Sequence, residues 1–146
     1  MRLTSPAFAD GEAIPPDHAC TGRGRSPALD WAELPADTRS LALILDDPDA
    51  PGGTFTHWLA SGIDPGGGGL AEGERPPREG RNDFGTVGHR GPCPPRGHGP
   101  HRYRFRLHAL DAELDLPDGG DRDRFEAALA RHVLTIAELV GRFERR

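Results

Sequence analysis

The sequence predicts a mainly β domain of short strands joined by turns, and three observations carry the prediction. Glycine (20) and proline (15) make up nearly a quarter of the 146 residues and are spread along the whole chain, which suits many turns and leaves little room for long helices. The run Leu41-Ala42-Leu43-Ile44-Leu45 is continuously apolar, the pattern of a strand buried on both faces. Residues 101–109 alternate cleanly. His101, Tyr103, Phe105, Leu107 and Ala109 face one way and Arg102, Arg104, Arg106 and His108 the other, as in a half-buried antiparallel strand.

The elements follow in order. Residues 1–40 alternate short apolar pieces with turn signals such as Asp10-Gly11, Pro15-Pro16 and Gly22-Arg23-Gly24. After the 41–45 strand comes a turn, Asp46-Asp47-Pro48-Asp49-Ala50-Pro51, in which two prolines fix their own φ and push Asp47 and Ala50 towards extended conformations. Either X-Pro bond is open to the cis form. Phe55 to Ala60 reads as a second strand, with Phe55, His57 and Leu59 on one face and Thr56, Trp58 and Ala60 on the other. Residues 64–100 have no period. Gly66 to Gly80 is expected to be the more mobile half, and Asn82 to Pro100, rich in specific turn formers, an ordered loop packed over a site. Asp121 is placed to cap a helix over 122–134 that packs outside the sheets on Phe125, Ala128, Leu129 and Val133. Beyond Thr135 an edge strand is one reading of an ambiguous pattern.

A chain of this length suits one domain with one core, so residues 1–146 are read as a single domain. Net charge is −5, every basic residue is arginine, and the arginines are scattered among acids, so nucleic-acid binding has no electrostatic support. The N-terminus lacks the apolar region of a signal peptide and no run is long enough to span a membrane, from which a soluble, cytoplasmic protein is expected. In such a reducing compartment Cys20 and Cys93 are expected to be free thiols, Cys93 serving as a small packing residue. The Arg102, Arg104 and Arg106 row is expected to be a solvated face, with a homodimer interface as the alternative it would border.

The densest chemistry lies in residues 46–58, with Asp46, Asp47 and Asp49 where a buried strand leaves the core and His57 on the next strand. The turn alone is compatible with a functional site or with carboxylates that merely satisfy nearby backbone N–H groups. His101 and Tyr103 add to the first reading, because both take the inward face at the start of their strand, directly after the irregular loop.

Seven motifs, in this order, resemble the phosphatidylethanolamine-binding protein (PEBP) family, in particular its bacterial Raf-kinase-inhibitor-like branch. They are Ser5-Pro6-Ala7-Phe8, Ser26-Pro27-Ala28-Leu29-Asp30-Trp31, Asp47-Pro48-Asp49-Ala50-Pro51, Thr56-His57-Trp58, Asn82-Asp83-Phe84-Gly85, Gly91-Pro92-Cys93-Pro94-Pro95 and Pro100-His101-Arg102-Tyr103. The resemblance implies a Greek-key β-sandwich of two antiparallel sheets with a peripheral C-terminal helix, and a small cavity for phosphate-type head groups. It implies Asp47, His57, His101 and Tyr103 as pocket side chains, the loop carrying Cys93 and Pro94 as part of the wall, and Asp49 in a supporting role. His89 stands where bacterial relatives usually carry tyrosine, and the segments through which eukaryotic relatives engage kinases are missing.

On that basis the expected ligand is phosphate, phosphoethanolamine or a similar anion, held by the two imidazoles, the Tyr103 hydroxyl and backbone N–H groups near Cys93, without a cofactor or metal. Asp47 is expected to orient a histidine and favour its charged form, so anion affinity should grow as pH falls through the ordinary imidazole range, near 6.5. Three other readings stand beside it. A phosphate-ester hydrolase would use the same residues, but neither a nucleophile elbow nor a P-loop occurs. A metal site would draw on His89, His98, His101 and Cys93, whose spacing fits no standard zinc pattern. An interaction or kinase-inhibitor-like module would use the Asp47 and His57 pair only to hold a turn.

Overall fold

Continuous apolarity from Leu41 to Leu45 becomes the middle of a strand whose residues are all buried, because it is the centre of a sheet covered on both sides. The computed structural model describes residues 1–146. The strands are β1 (Arg2–Thr4), β2 (Leu29–Ala32), β3 (Ser40–Asp47), β4 (Phe55–Ile63), β5 (Gly69–Leu70), β6 (Arg78–Glu79), β7 (His101–Leu110) and β8 (Val133–Phe143), with one α-helix, α1 (Arg122–Leu129). They form two antiparallel sheets, a small one ordered β1-β2-β5 and a large one ordered β6-β4-β3-β7-β8. The mainly β sandwich with a peripheral helix is thus as expected.

The main core lies between the sheets. Leu3, Leu29, Trp31 and Leu70 of the small sheet meet Leu41, Leu43, Leu45, Trp58, Phe105, Leu107 and Leu139 of the large one. A second, smaller core covers the outer face of the large sheet, where Phe125 and Leu129 of α1 pack on Ala42, Ile44, Leu59 and Leu110. Burial of these large side chains stabilises the fold by roughly 1.5–3 kcal/mol each.

Strand β7 keeps the expected phase, but three expectations change. The helix ends at Leu129 instead of continuing to 134, because Val133 already pairs with Leu110 as the start of β8, where Val133, Thr135 and Ile136 favour the extended chain. The Asp121 cap is present, its side chain accepting from the Arg124 N–H at 2.9 Å. The arginine row is solvated only in part: Arg102 and Arg106 stay open to solvent in ion pairs with Asp49 and Glu138, whereas Arg104 is drawn in against the buried Asp46. Cys20 and Cys93 are not free: they form a disulfide with a Cα–Cα distance of 5.4 Å, within bridging range. Free thiols were expected from a reducing compartment, and 73 residues of separation hid the fact that folding brings the two together.

All peptide bonds are trans, including those before Pro48 and Pro51. The stretch from Gly66 to Gly80 contains the two-residue strands β5 and β6, with Leu70 and Glu79 buried. No helix is long and apolar enough to cross a membrane.

Candidate functional site

The site forms where β3, β4 and β7 end together. Asp47 is the last residue of β3 and His101 the first of β7, so the two side chains meet: the His101 Nδ1–H donates to Asp47 Oδ2 at 2.6 Å. The other Asp47 oxygen accepts from the Asp49 N–H at 2.8 Å, the local turn that Asp before a Pro-Asp pair favours. Asp47 is therefore fully engaged as the piece that orients His101.

His57 reaches the site through an irregularity in β4. Leu45 lies opposite Trp58 but Asp46 lies opposite Thr56, so His57 is an extra residue, a β-bulge. The bulge places His57 and Trp58 on the same inner face, where strict alternation would have separated them. Trp58 joins the main core while the His57 ring packs edge-on against Tyr103, centroids 5.4 Å apart. His57 Nδ1 donates to the Arg90 carbonyl at 2.8 Å, not to Asp47, and burial pushes its pKa down.

Tyr103 sits two residues beyond His101 on the same face. Its hydroxyl is buried without a hydrogen-bond partner, and burial beside the Asp47 carboxylate holds the phenol well above its ordinary range. Asp47, His57, His101 and Tyr103 are between 1% and 3% exposed, so the cluster is closed from solvent.

The irregular loop supplies the walls. Asn82 is buried and organises its own turn, accepting from the N–H groups of Phe84 and Thr86 and donating to the Gly88 carbonyl. Asp83 accepts from the Thr56 N–H at 2.7 Å and returns its own N–H to the Thr56 carbonyl, pinning this turn beside His57. The result is an aromatic wall in which Phe84 lies 5.3 Å from His57 and 4.8 Å from Phe55. Gly91, next in the Pro-rich segment, packs so close to the His18 carbonyl that a Cβ would collide with backbone. The bridge from Cys93 to Cys20 ties this segment to the chain after Pro16–His18, and the buried Pro94 offers its carbonyl to Arg145.

The structure therefore brings together Asp47, His57, His101 and Tyr103 but sends Asp49 outward, where Arg102 holds it through Nε, Nη2 and its backbone N–H and lowers its pKa to about 2. Asp46 points to the opposite face. His89 lies against Trp58, centroids 5.2 Å apart, with Nε2 buried and unpartnered, and burial pushes its pKa down to about 4. Two contributors were not anticipated as site residues. Phe84 gave no signal beyond its place in a turn motif. His98, its Nδ1 2.6 Å from His101 Nε2, was read as an exposed turn residue or a metal ligand; the signal available was its spacing of three from His101.

A sequence profile of the phosphatidylethanolamine-binding protein family matches residues 4–144. A UPF0098 protein of Methanothermobacter thermautotrophicus is 45% identical over 99% of each chain. The putative lipoprotein LppC of Mycobacterium tuberculosis is 43% identical over 99% of this chain and 72% of its own. Among solved structures, the putative PEBP homolog CT736 of Chlamydia trachomatis superposes with a TM-score of 0.94 at 36% identity, covering 99% of this chain and 97% of that one. E. coli YbcL, a member of the mammalian PEBP family, gives 0.92 at 32% identity, with 99% and 98% covered.

Proposed function

Because the chain belongs to the phosphatidylethanolamine-binding protein family, we propose that it binds a small phosphate-type anion, such as phosphate or a phospho-headgroup, at the Asp47–His101–Tyr103 cluster. The observation that carries this reading is the Tyr103 hydroxyl, buried without a partner beside an oriented imidazole. An orphaned buried hydroxyl costs about 1–3 kcal/mol, so a fold that keeps one at a cluster of this kind has a use for it. Asp47 holds its oxygens on His101 Nδ1 and the Asp49 N–H, and a proton on His101 offsets its charge toward an anion. It leaves His101 Nε2 facing away from itself, and a proton there makes a charge-assisted donor. The oriented donor thus falls on His101; His57, neutral through burial and tied to the Arg90 carbonyl, contributes shape and an aromatic edge.

The same Asp47–His101 pair is what a hydrolase uses to orient a general base, and the reading here is of binding because the sequence carries neither a nucleophile elbow nor a P-loop and burial keeps the Tyr103 phenol protonated. Calorimetric titration of phosphate and phosphoethanolamine at descending pH tests it. Affinity should grow as the imidazoles take up protons; affinity that is flat or falls overturns the anion reading, and steady turnover of phosphate esters replaces binding with catalysis.

A further inference from the structure

His98 stands between Gly97 and Gly99, both in left-handed conformations (φ 74° and 83°) that other residues adopt only with strain. The loop has fixed ends. Cys93 is bridged to Cys20 and Pro94 accepts from Arg145, while at the other side His101 is locked into β7. Between them the backbone is held by two hydrogen bonds, Gly97 N–H to the Arg145 carbonyl at 3.1 Å and His98 N–H to the Pro95 carbonyl at 3.2 Å. The residue is exposed, yet its ring turns inward and meets the buried His101 at 2.6 Å, Nδ1 to Nε2. Since Asp47 occupies His101 Nδ1, His98 sits on the only nitrogen of His101 left for a ligand.

We infer that His98 is a proton-sensitive latch over the anion site: it fills the place of the ligand on His101 and must swing out on its flanking glycines before an anion can bind. This rests on the anion reading above. Two ring nitrogens in hydrogen-bond contact share one proton. When both rings are fully protonated, N–H faces N–H and the contact is lost, while His101 then presents a charged Nε2–H to the space that His98 leaves. Opening therefore takes one proton on each ring: the first leaves the shared N–H···N bond in place, and the second breaks it and leaves His101 charged. The carboxylates of Asp47, behind His101, and Asp49, beside it, favour that state. The cations Arg96, Arg145 and Arg146 around the loop, and Arg102 on β7, oppose it, with Arg102 largely neutralised by Asp49. His57, the remaining imidazole of the cluster, has its pKa pushed down by burial.

The test compares the full chain with its His98→Ala variant in two ways. Acylation of His101 by diethyl pyrocarbonate, followed by mass spectrometry at neutral pH, reports whether His98 covers that ring, and should be several-fold faster in the variant. Phosphate titration should show roughly tenfold tighter binding in the variant near neutral pH, the ratio shrinking as pH falls and the wild-type latch opens. Unchanged His101 reactivity overturns the latch, as does weaker phosphate binding in the variant, which would make His98 a ligand contact. If His101 reactivity rises but neither protein binds phosphate at any pH, the latch stands as a cover of His101 and the anion reading falls.

Discussion

Asp46 and Asp47 are neighbours in the chain and serve opposite faces of one sheet. Asp47 turns inward to His101, while Asp46, fully buried, turns outward to Arg104 of β7 and Arg122 in the first turn of α1. Arg122 also donates to the Thr56 hydroxyl, next to the His57 bulge. The outer carboxylate thus ties the helix, β3, β4 and β7 together behind the site, and the inner one orients the imidazole in front.

That division predicts separable mutants. Asp46→Ala leaves two arginines, each about a quarter exposed or less, facing a buried gap without their shared partner. The expected loss is about 3 kcal/mol, the lower end for breaking a buried ion pair because the arginines keep some water. Urea unfolding measures it, and a loss below about 1 kcal/mol would show that Asp46 is not the tie described. Asp47→Ala should instead abolish phosphate binding with a smaller effect on stability.

Stability should fall as pH drops from about 6.5 towards 4. Burial is the largest cause holding His89 (to about 4), His57 and His108 below the ordinary imidazole value, so in this window the folded rings hold fewer protons than the unfolded ones. Stability therefore rises with pH through the window and is lost below it. His89 alone contributes at most about 3 kcal/mol, less in practice because its residue is partly exposed. Thermal unfolding at several pH values should show the slope, flattened in His89→Phe; an unaltered slope in that variant would remove His89 from the account. Because anion affinity should move the other way, added phosphate should offset part of the acid loss.

The Cys20–Cys93 bridge closes a long loop in a small domain, which predicts that Cys20→Ser lowers stability by about 2–4 kcal/mol. Comparing the wild type with and without a dithiol reductant gives the same measurement without a substitution. A coincident pair of unfolding curves would mean the bridge constrains nothing.

Strand β7 was legible because its pleat is regular from His101 to Ala109, and with it came the inward placing of His101 and Tyr103. Asp47 was legible because an apolar run ended on it. His57 was placed at the site, but on the wrong phase relative to Trp58, because periodicity assumes an unbroken pleat and the extra residue opposite Leu45 breaks it. Its partner was likewise illegible, since a carbonyl of Arg90 belongs to a loop whose path no pattern encodes. His98 is exposed, as its flanking glycines suggest, but only the folded loop shows the ring turned back on His101. The disulfide depended on two turns far apart in sequence, and residue types alone carried no register between them.

Tyr103 separates function from stability most sharply. Its hydroxyl is buried close to the Asp47 carboxylate but finds no partner in good hydrogen-bonding geometry, so in the unliganded protein its burial is poorly compensated. Tyr103→Phe keeps the ring that packs on His57 and in the main core and removes only that oxygen. Stability should therefore stay the same or rise by about 1 kcal/mol, while phosphate affinity drops about tenfold through the loss of one donor. Calorimetry and thermal unfolding on one preparation read both quantities. If the hydroxyl instead serves the fold, stability falls and affinity holds, and that result would return the cluster to a purely structural role.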